Sequence, residues 1–217
     1  MNKLSVIITG ILVTIAFSWA GLVLTSHVQL GALEHHVDEL SGDSFPPPRA
    51  GIARRGKKTY QELGCVACHT QQVRRPRDEE TWRLPYGYAG DIERGWGERQ
   101  SVARDYIRDE VVLLGTRRVG PDLMTVGGRE DTREWHHRHL YDPRINTPGS
   151  TMPSYSFLYK TRAVDDDPSP RALDLPEGFG APAGYEVLPT PRADALVQYL
   201  LSLRMDYELP EVPAENE

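Results

Sequence analysis

The sequence predicts an all-α protein: a single transmembrane helix at the amino end, followed by one helical domain with long loops. Three observations predict it. From Leu4 to Leu33 no residue is formally charged, and Val6 to Leu24 is a nearly unbroken apolar run, about the length that crosses a hydrocarbon core as a helix. Further on, Ile52 to Leu63 and Thr190 to Leu201 carry apolar residues at helical spacing. The 17 prolines and 19 glycines among 217 residues make the remainder loop-rich.

Residues 1–33 read as a retained anchor. The apolar run is longer than a cleaved signal carries, and the small-residue candidate Ala16-Phe17-Ser18-Trp19-Ala20 lies inside it. Lys3 on one side, against Glu34, Asp38 and Glu39 on the other, puts the amino end in the cytoplasm and the body outside. Gly10, Thr14, Ser18 and Gly21 form a small-residue stripe of the kind that packs helices within a complex. Residues 34–50, with Phe45-Pro46-Pro47-Pro48, read as a proline-rich linker, a stiff spacer holding the body off the membrane.

The body spans 51–205. Its first helix sets Ile52, Tyr60 and Leu63 against Arg54, Arg55, Lys57 and Lys58. Gly56 inside it costs up to about 1 kcal/mol, so another backbone is expected to approach closely there. The candidate is the last helix. Thr190 caps it and Pro191 takes its first position, while Ala193, Leu196, Val197, Leu200 and Leu201 share a face with Tyr199 beside them.

Directly after the first helix stand Cys65-Val66-Ala67-Cys68-His69, the only two cysteines in the chain. This is the attachment signature of a c-type haem. Two thiols one turn apart reach the two vinyl groups of a porphyrin, and the next side chain falls beneath the iron. A thioredoxin-like pair would need a βαβ context, and a zinc site a second ligand pair. A disulfide between these two would be a strained short loop with no use for His69. Cys65 and Cys68 therefore read as the attachment points of one haem c, and His69 as its proximal iron ligand.

A first helix ending in this motif and crossed by an aromatic-bearing last helix resembles class I cytochromes c. The resemblance rests on Gly56-Lys57-Lys58-Thr59-Tyr60 and Ala195-Leu196-Val197-Gln198-Tyr199-Leu200. It implies that Gly120-Pro121-Asp122-Leu123 packs beside the proximal histidine, with the Pro121 carbonyl taking its Nδ1 proton. Such a bond fixes the ring plane and raises the ligand's basicity.

The loops between carry the remaining candidates. Gln71 to Glu80 includes Arg74, Arg75 and Arg77; Arg74 and Arg75 could fork onto haem propionates or simply be solvated. Trp82 to Tyr106, with four glycines and several aromatics, reads as a pocket wall, and Val111 to Leu114 as either helix or strand. Asp131 to Tyr141 reads as a helix capped by Asp131, with Glu134 three residues on and Trp135 buried. Its His136, His137 and His139 could offer a distal ligand or a surface metal pair; polar helix positions are the stronger reading. Of four methionines, Met1 is terminal, Met205 lies beyond the last helix, and Met124 follows the proximal segment. Met152, in the proline-bounded loop Ser150-Thr151-Met152-Pro153-Ser154-Tyr155, is the expected distal iron ligand. His/Met ligation leaves no open position and raises the potential, which suits electron transfer.

The ordered set of motifs also resembles the FixO/CcoO family. It comprises Gly64-Cys65-Val66-Ala67-Cys68-His69-Thr70-Gln71-Gln72-Val73-Arg74-Arg75-Pro76, Gln100 to Tyr106, Gly115 to Leu123, Val126 to Arg129, Trp135-His136, His139-Leu140, Asp142-Pro143-Arg144 and Ser150 to Tyr155. That family is the membrane-anchored mono-haem subunit of cbb3-type cytochrome c oxidases. The resemblance implies a seat beside the catalytic haem-copper oxidase subunit, with electrons arriving from a further c-type cytochrome. It carries haem attachment to Cys65 and Cys68, and iron ligation to His69 and Met152. It implies a single-pass protein of the cytoplasmic (inner) membrane with a periplasmic haem domain, and no oxygen-reducing site or catalytic residue in this chain. Two stretches, 82–96 and 163–188, look like loop insertions that remodel a docking surface, and 206–217 like a flexible tail. A free-standing anchored shuttle is the alternative, and a haem sensor or peroxidase with an open sixth position a third. A net charge of −6 without a long basic run argues against nucleic acid.

Overall fold

The computed structural model describes residues 3–31, 33–74, 90–164 and 167–212. Helix α1 (Lys3–Trp19) passes through one π-helical turn (Ala20–Leu24) into α2 (Thr25–Leu30). Together they make a 28-residue helical rod, Lys3–Leu30, with no buried residue, about 42 Å long at the α-helical rise and so long enough to cross a hydrocarbon core. Its hydroxyls bond to their own helix: Thr14 Oγ1 donates to Gly10 O and Thr25 Oγ1 to Ala20 O, both at 2.9 Å, and Ser26 Oγ to Leu22 O at 2.8 Å. Self-satisfied hydroxyls remove the penalty of unpaired polar groups in lipid.

The linker is no free spacer. Strand β1 (His36–Val37) pairs antiparallel with β2 (Ser44–Phe45), and this hairpin is fastened to the body. Arg108 Nε donates to Pro46 O at 2.6 Å and its Nη2 to Ser44 Oγ at 2.7 Å, while the Arg104 guanidinium donates to Glu34 O. Phe45 stacks on Tyr207 with ring centroids 5.2 Å apart. The same contact corrects the expectation of a flexible tail from 206. Tyr207 and Leu209 are buried, and Tyr207 Oη donates to the buried Asp105 carboxylate at 2.9 Å. An apolar pair and a hydroxyl with a buried acceptor hold this segment down. Residues 213–217 of that tail lie outside the described residues.

In the body, α3 (Gly51–Glu62) crosses α6 (Pro191–Leu201) at the centre of the core. The Thr190 hydroxyl accepts from Ala193 N at 3.3 Å, and Pro191 opens α6 as its pattern predicts. Gly56 is where the two backbones meet: a Cβ there would lie 1.9 Å from Ala195 O. Beside it, Tyr60 and Tyr199 pack edge-to-face at 5.4 Å. A short α4 (Val126–Arg129) and α5 (Arg133–Tyr141) flank this pair. The cap of α5 is Thr132, whose hydroxyl accepts from Trp135 N at 3.3 Å, not Asp131. Its buried face is His136, His137 and Leu140, with Trp135 only half-buried.

The chain is mostly helical, and the all-α expectation is corrected by a second hairpin. Strand β3 (Tyr159–Ala163) pairs antiparallel with β4 (Tyr185–Pro189), closing off most of the 163–188 insertion. Leu173 and Leu175 of that insertion pack on the core, and Glu186 accepts from Arg162 Nε at 2.6 Å. Val111 to Leu114 is neither helix nor strand. Of the other insertion, 82–89 lies outside the described residues and 90–96 is built into the body through Asp91 and Trp96.

Candidate haem site

Helix α3 ends at Glu62, and Gly64, with φ of +71°, turns the chain into one 3₁₀ turn over Cys65–Ala67. Cys65 is half-buried and Cys68 exposed, and no disulfide joins them. Burial pushes the Cys65 thiol up to about 11. The His69 amide closes the turn on Cys65 O at 3.0 Å, and Cys68 O accepts from Val119 N at 3.0 Å and Gly120 N at 3.1 Å. The motif is thereby laced to the 119–123 segment.

His69 Nδ1 lies 2.8 Å from Pro121 O. A carbonyl can only accept, so Nδ1 carries the proton and Nε2 keeps its lone pair for a metal. Burial holds the imidazole below its ordinary range, against the opposing pull of the Pro121 carbonyl. Gly120 packs against the ring face, where a Cβ would come 2.3 Å from His69 Cε1. Only glycine lets the backbone sit there.

Met152 sits in a loop tied to α5: Tyr155 N donates to Leu140 O at 2.9 Å and Ser154 Oγ to Tyr141 O at 2.5 Å. Met152, Tyr155, Cys65, Val66 and Leu123 all pack at the edge of the main core cluster. Tyr155 of the same loop hydrogen-bonds through its side chain with Cys65, so the loop reaches the cysteine motif. Met124 belongs elsewhere, buried with Val73 and Met205 in a second cluster. Arg74 is half-buried and held by its backbone, whose N–H donates to Asp91 Oδ2 at 2.7 Å. Arg75 lies outside the described residues. His136 Nε2 lies 2.8 Å from Glu130 O, His137 Nδ1 lies 3.1 Å from Tyr159 Oη, and His139 stacks on Trp135 at 4.7 Å. Among the described residues no cluster of three or more His, Cys, Asp or Glu could hold a metal ion.

Sequence reasoning missed the polar frame behind His69. The Asp122 carboxylate, fully buried, accepts from Thr70 Oγ1 at 2.5 Å, Gln72 N at 2.8 Å and Met124 N at 2.8 Å. Arg118 joins it to the equally buried Asp91, donating also to Thr70 Oγ1 at 2.9 Å and Gln72 O at 2.6 Å, beneath the Trp96 ring. The one sequence signal was the pair Arg117-Arg118 beside Gly120-Pro121-Asp122, which does not say which arginine turns inward.

A family model described as cytochrome c oxidase, mono-haem subunit/FixO matches residues 2–198 of the chain. A search of curated proteins finds no match.

Proposed function

The chain belongs to the FixO family of mono-haem cytochrome c oxidase subunits, and from that premise we propose that it relays electrons through one covalently held c-type haem toward the oxygen-reducing subunit of a cbb3-type oxidase. The observation that carries the reading is the 2.8 Å contact of His69 Nδ1 with Pro121 O, directly after a Cys-x-x-Cys pair. It leaves one imidazole lone pair aimed away from the protein's own hydrogen bonds, as an iron ligand must be.

The residues present fit such a group. Cys65 and Cys68 offer two thiols one turn apart, Gly120 leaves room for the His69 ring that a Cβ would take, and Met152 and Cys65 each pack against the main core cluster. Bound there, the haem supplies a reversible one-electron couple. The protein's part is to hold it by two thioethers and fix the proximal ring through Pro121. Met152 is the residue that would supply the second iron ligand, and with that ligand in place the haem would transfer electrons without binding oxygen. Crossing of α3 and α6 supports a class I cytochrome c-like domain. Arg74 and Arg75 remain the proposed propionate contacts. In this reading the Lys3–Leu30 helix anchors the protein in the cytoplasmic membrane with its amino end inside, and the haem domain faces the periplasm. It sits there between a c-type donor and the haem-copper subunit. Family membership favours this over a free-standing shuttle.

Purification in mild detergent with haem staining tests it: co-migration with a multi-span haem b subunit is expected, and migration alone would favour the shuttle. Met152→Ala should abolish the weak far-red band of methionine-to-ferric-iron ligation and open the reduced haem to carbon monoxide; loss of that band on Met124→Ala instead would overturn the ligand assignment.

A further inference from the structure

A cleft of 590 Å³ opens on the outer side of α3, between that helix, Pro48-Arg49 and the 108–111 segment. Five cations line it, Arg49, Arg54, Lys57, Lys58 and Arg108, against two carboxylates, in a chain whose net charge is −6. Asp109 is committed inward. Its side chain is only 6% exposed, and it pairs with Arg49 and, at 2.8 Å, with Lys57. Among the described residues Arg54 and Lys58 pair with no carboxylate, and both are exposed. Among the described residues the only apolar ones lining it are Pro48 and Val111, too little for a protein segment, whose interface cores are apolar.

The position of the cleft says what could reach it. The turn that carries Arg108 also carries Arg104, whose guanidinium holds the carbonyl of Glu34. Glu34 is four residues beyond Leu30, the last residue of the anchor helix, a span of at most about 14 Å of chain. Arg108 itself holds Ser44 and Pro46 of the linker hairpin. The wall of the cleft is thus tied to the point where the chain leaves the apolar rod.

We propose that this cleft binds the phosphate headgroup of an anionic lipid in the leaflet from which the anchor emerges. Arg54 and Lys58 are the contacts that give it its charge preference, and Arg108 fixes its rim against the linker. The lipid source rests on the anchor lying in a membrane; the phosphate chemistry rests on the cleft alone. A basic pocket at this level works at the high local concentration of headgroups, and its attraction is confined to within a Debye length of the surface.

The test uses the full-length, haem-loaded protein in neutral detergent, titrated by calorimetry with dioctanoylphosphatidylglycerol, dioctanoylphosphatidylcholine and inorganic phosphate. Phosphatidylglycerol is expected to bind and phosphatidylcholine not. The R54Q/K58Q variant should lose about fivefold in affinity per cation, roughly twenty-five-fold for the pair, and R54K/K58R should retain binding. Equal binding of the two lipids, or an unchanged affinity in R54Q/K58Q with an unaltered haem spectrum, overturns the proposal. Inorganic phosphate binding as tightly as phosphatidylglycerol overturns the lipid source in favour of a soluble anion. In the intact oxidase, loss of a partner subunit from R54Q/K58Q without loss of co-purified phosphatidylglycerol overturns it in favour of a protein contact. Vesicle flotation of the same variant separately reports whether the anchor itself holds.

Discussion

Replacing Gly56 by alanine should destabilise the domain even though alanine is the better helix former. The added Cβ would lie 1.9 Å from Ala195 O, 2.6 Å from Ala195 C and 2.7 Å from Tyr199 Cβ. Ordinary contacts begin near 3.4 Å, and two of the three atoms are backbone, which cannot rotate aside. Helix α6 must therefore shift by more than about an ångström. That movement loosens the Tyr60–Tyr199 contact and the packing of Leu196 and Val197, which are essentially inaccessible. Overpacking costs about 1–3 kcal/mol, and a backbone obstacle belongs at the top of that range. Alanine returns up to about 1 kcal/mol of helix propensity, leaving a net loss of about 2 kcal/mol. For a chain of this size that lowers the melting midpoint by roughly 4–8 °C. The assay is thermal unfolding of the haem-loaded protein in detergent by far-ultraviolet circular dichroism, with Gly128→Ala as control because nothing lies within 4 Å of its added Cβ. A Gly56→Ala protein that melts at or above the wild-type midpoint would refute the close approach.

Arg118→Ala strands Asp91 and Asp122, both fully buried, and should cost about 3–5 kcal/mol in urea unfolding; a change below about 1 kcal/mol contradicts the frame behind His69. Burial pushes His136 and His137 down to about 4 from their ordinary value of 6.5. The unfolded chain therefore takes up protons first, so stability is complete above about pH 6.5 and falls progressively toward pH 4. Denaturant midpoints that stay flat across that window would show that these two rings are not buried neutral. Tyr207→Ala removes the ring that stacks on Phe45 and the donor to Asp105; a loss of about 3 kcal/mol should come with faster proteolysis of the 36–45 hairpin, and unchanged cleavage would sink the link between linker and tail.

What could be read from the sequence was what local chemistry dictates. Cys65 to His69 is legible because attachment and ligation of a haem would fix three positions within five, Cys65, Cys68 and His69. Thr190-Pro191 is legible because a cap and a first-turn proline act on their own helix, and Gly56 because a costly glycine needs a neighbour to justify it. The rest depends on partners far along the chain. Phe45, Asp105 and Tyr207 meet from three separate segments, and no local pattern announces that a tail tyrosine will stack on a linker phenylalanine. Strand Tyr159–Ala163 finds its partner only across a long insertion rich in Asp, Pro and Gly, which reads as loop. At α5 two residues able to cap stand side by side, Asp131 and Thr132, and only the hydroxyl contact to Trp135 N decides between them.

The Phe45–Tyr207 stack also bears on how fast a redox centre at His69 could exchange electrons. A flexible chain as long as residues 34–50 would let its ends wander about 23 Å apart on average, and a tunnelling rate, falling steeply with separation, would be set by rare close visits. With Arg104 and Arg108 holding one side of the hairpin and Tyr207 the other, that wandering is removed. Hairpin, tail and body then move as one piece, and a redox centre at His69 would keep a constant separation from the 36–45 hairpin.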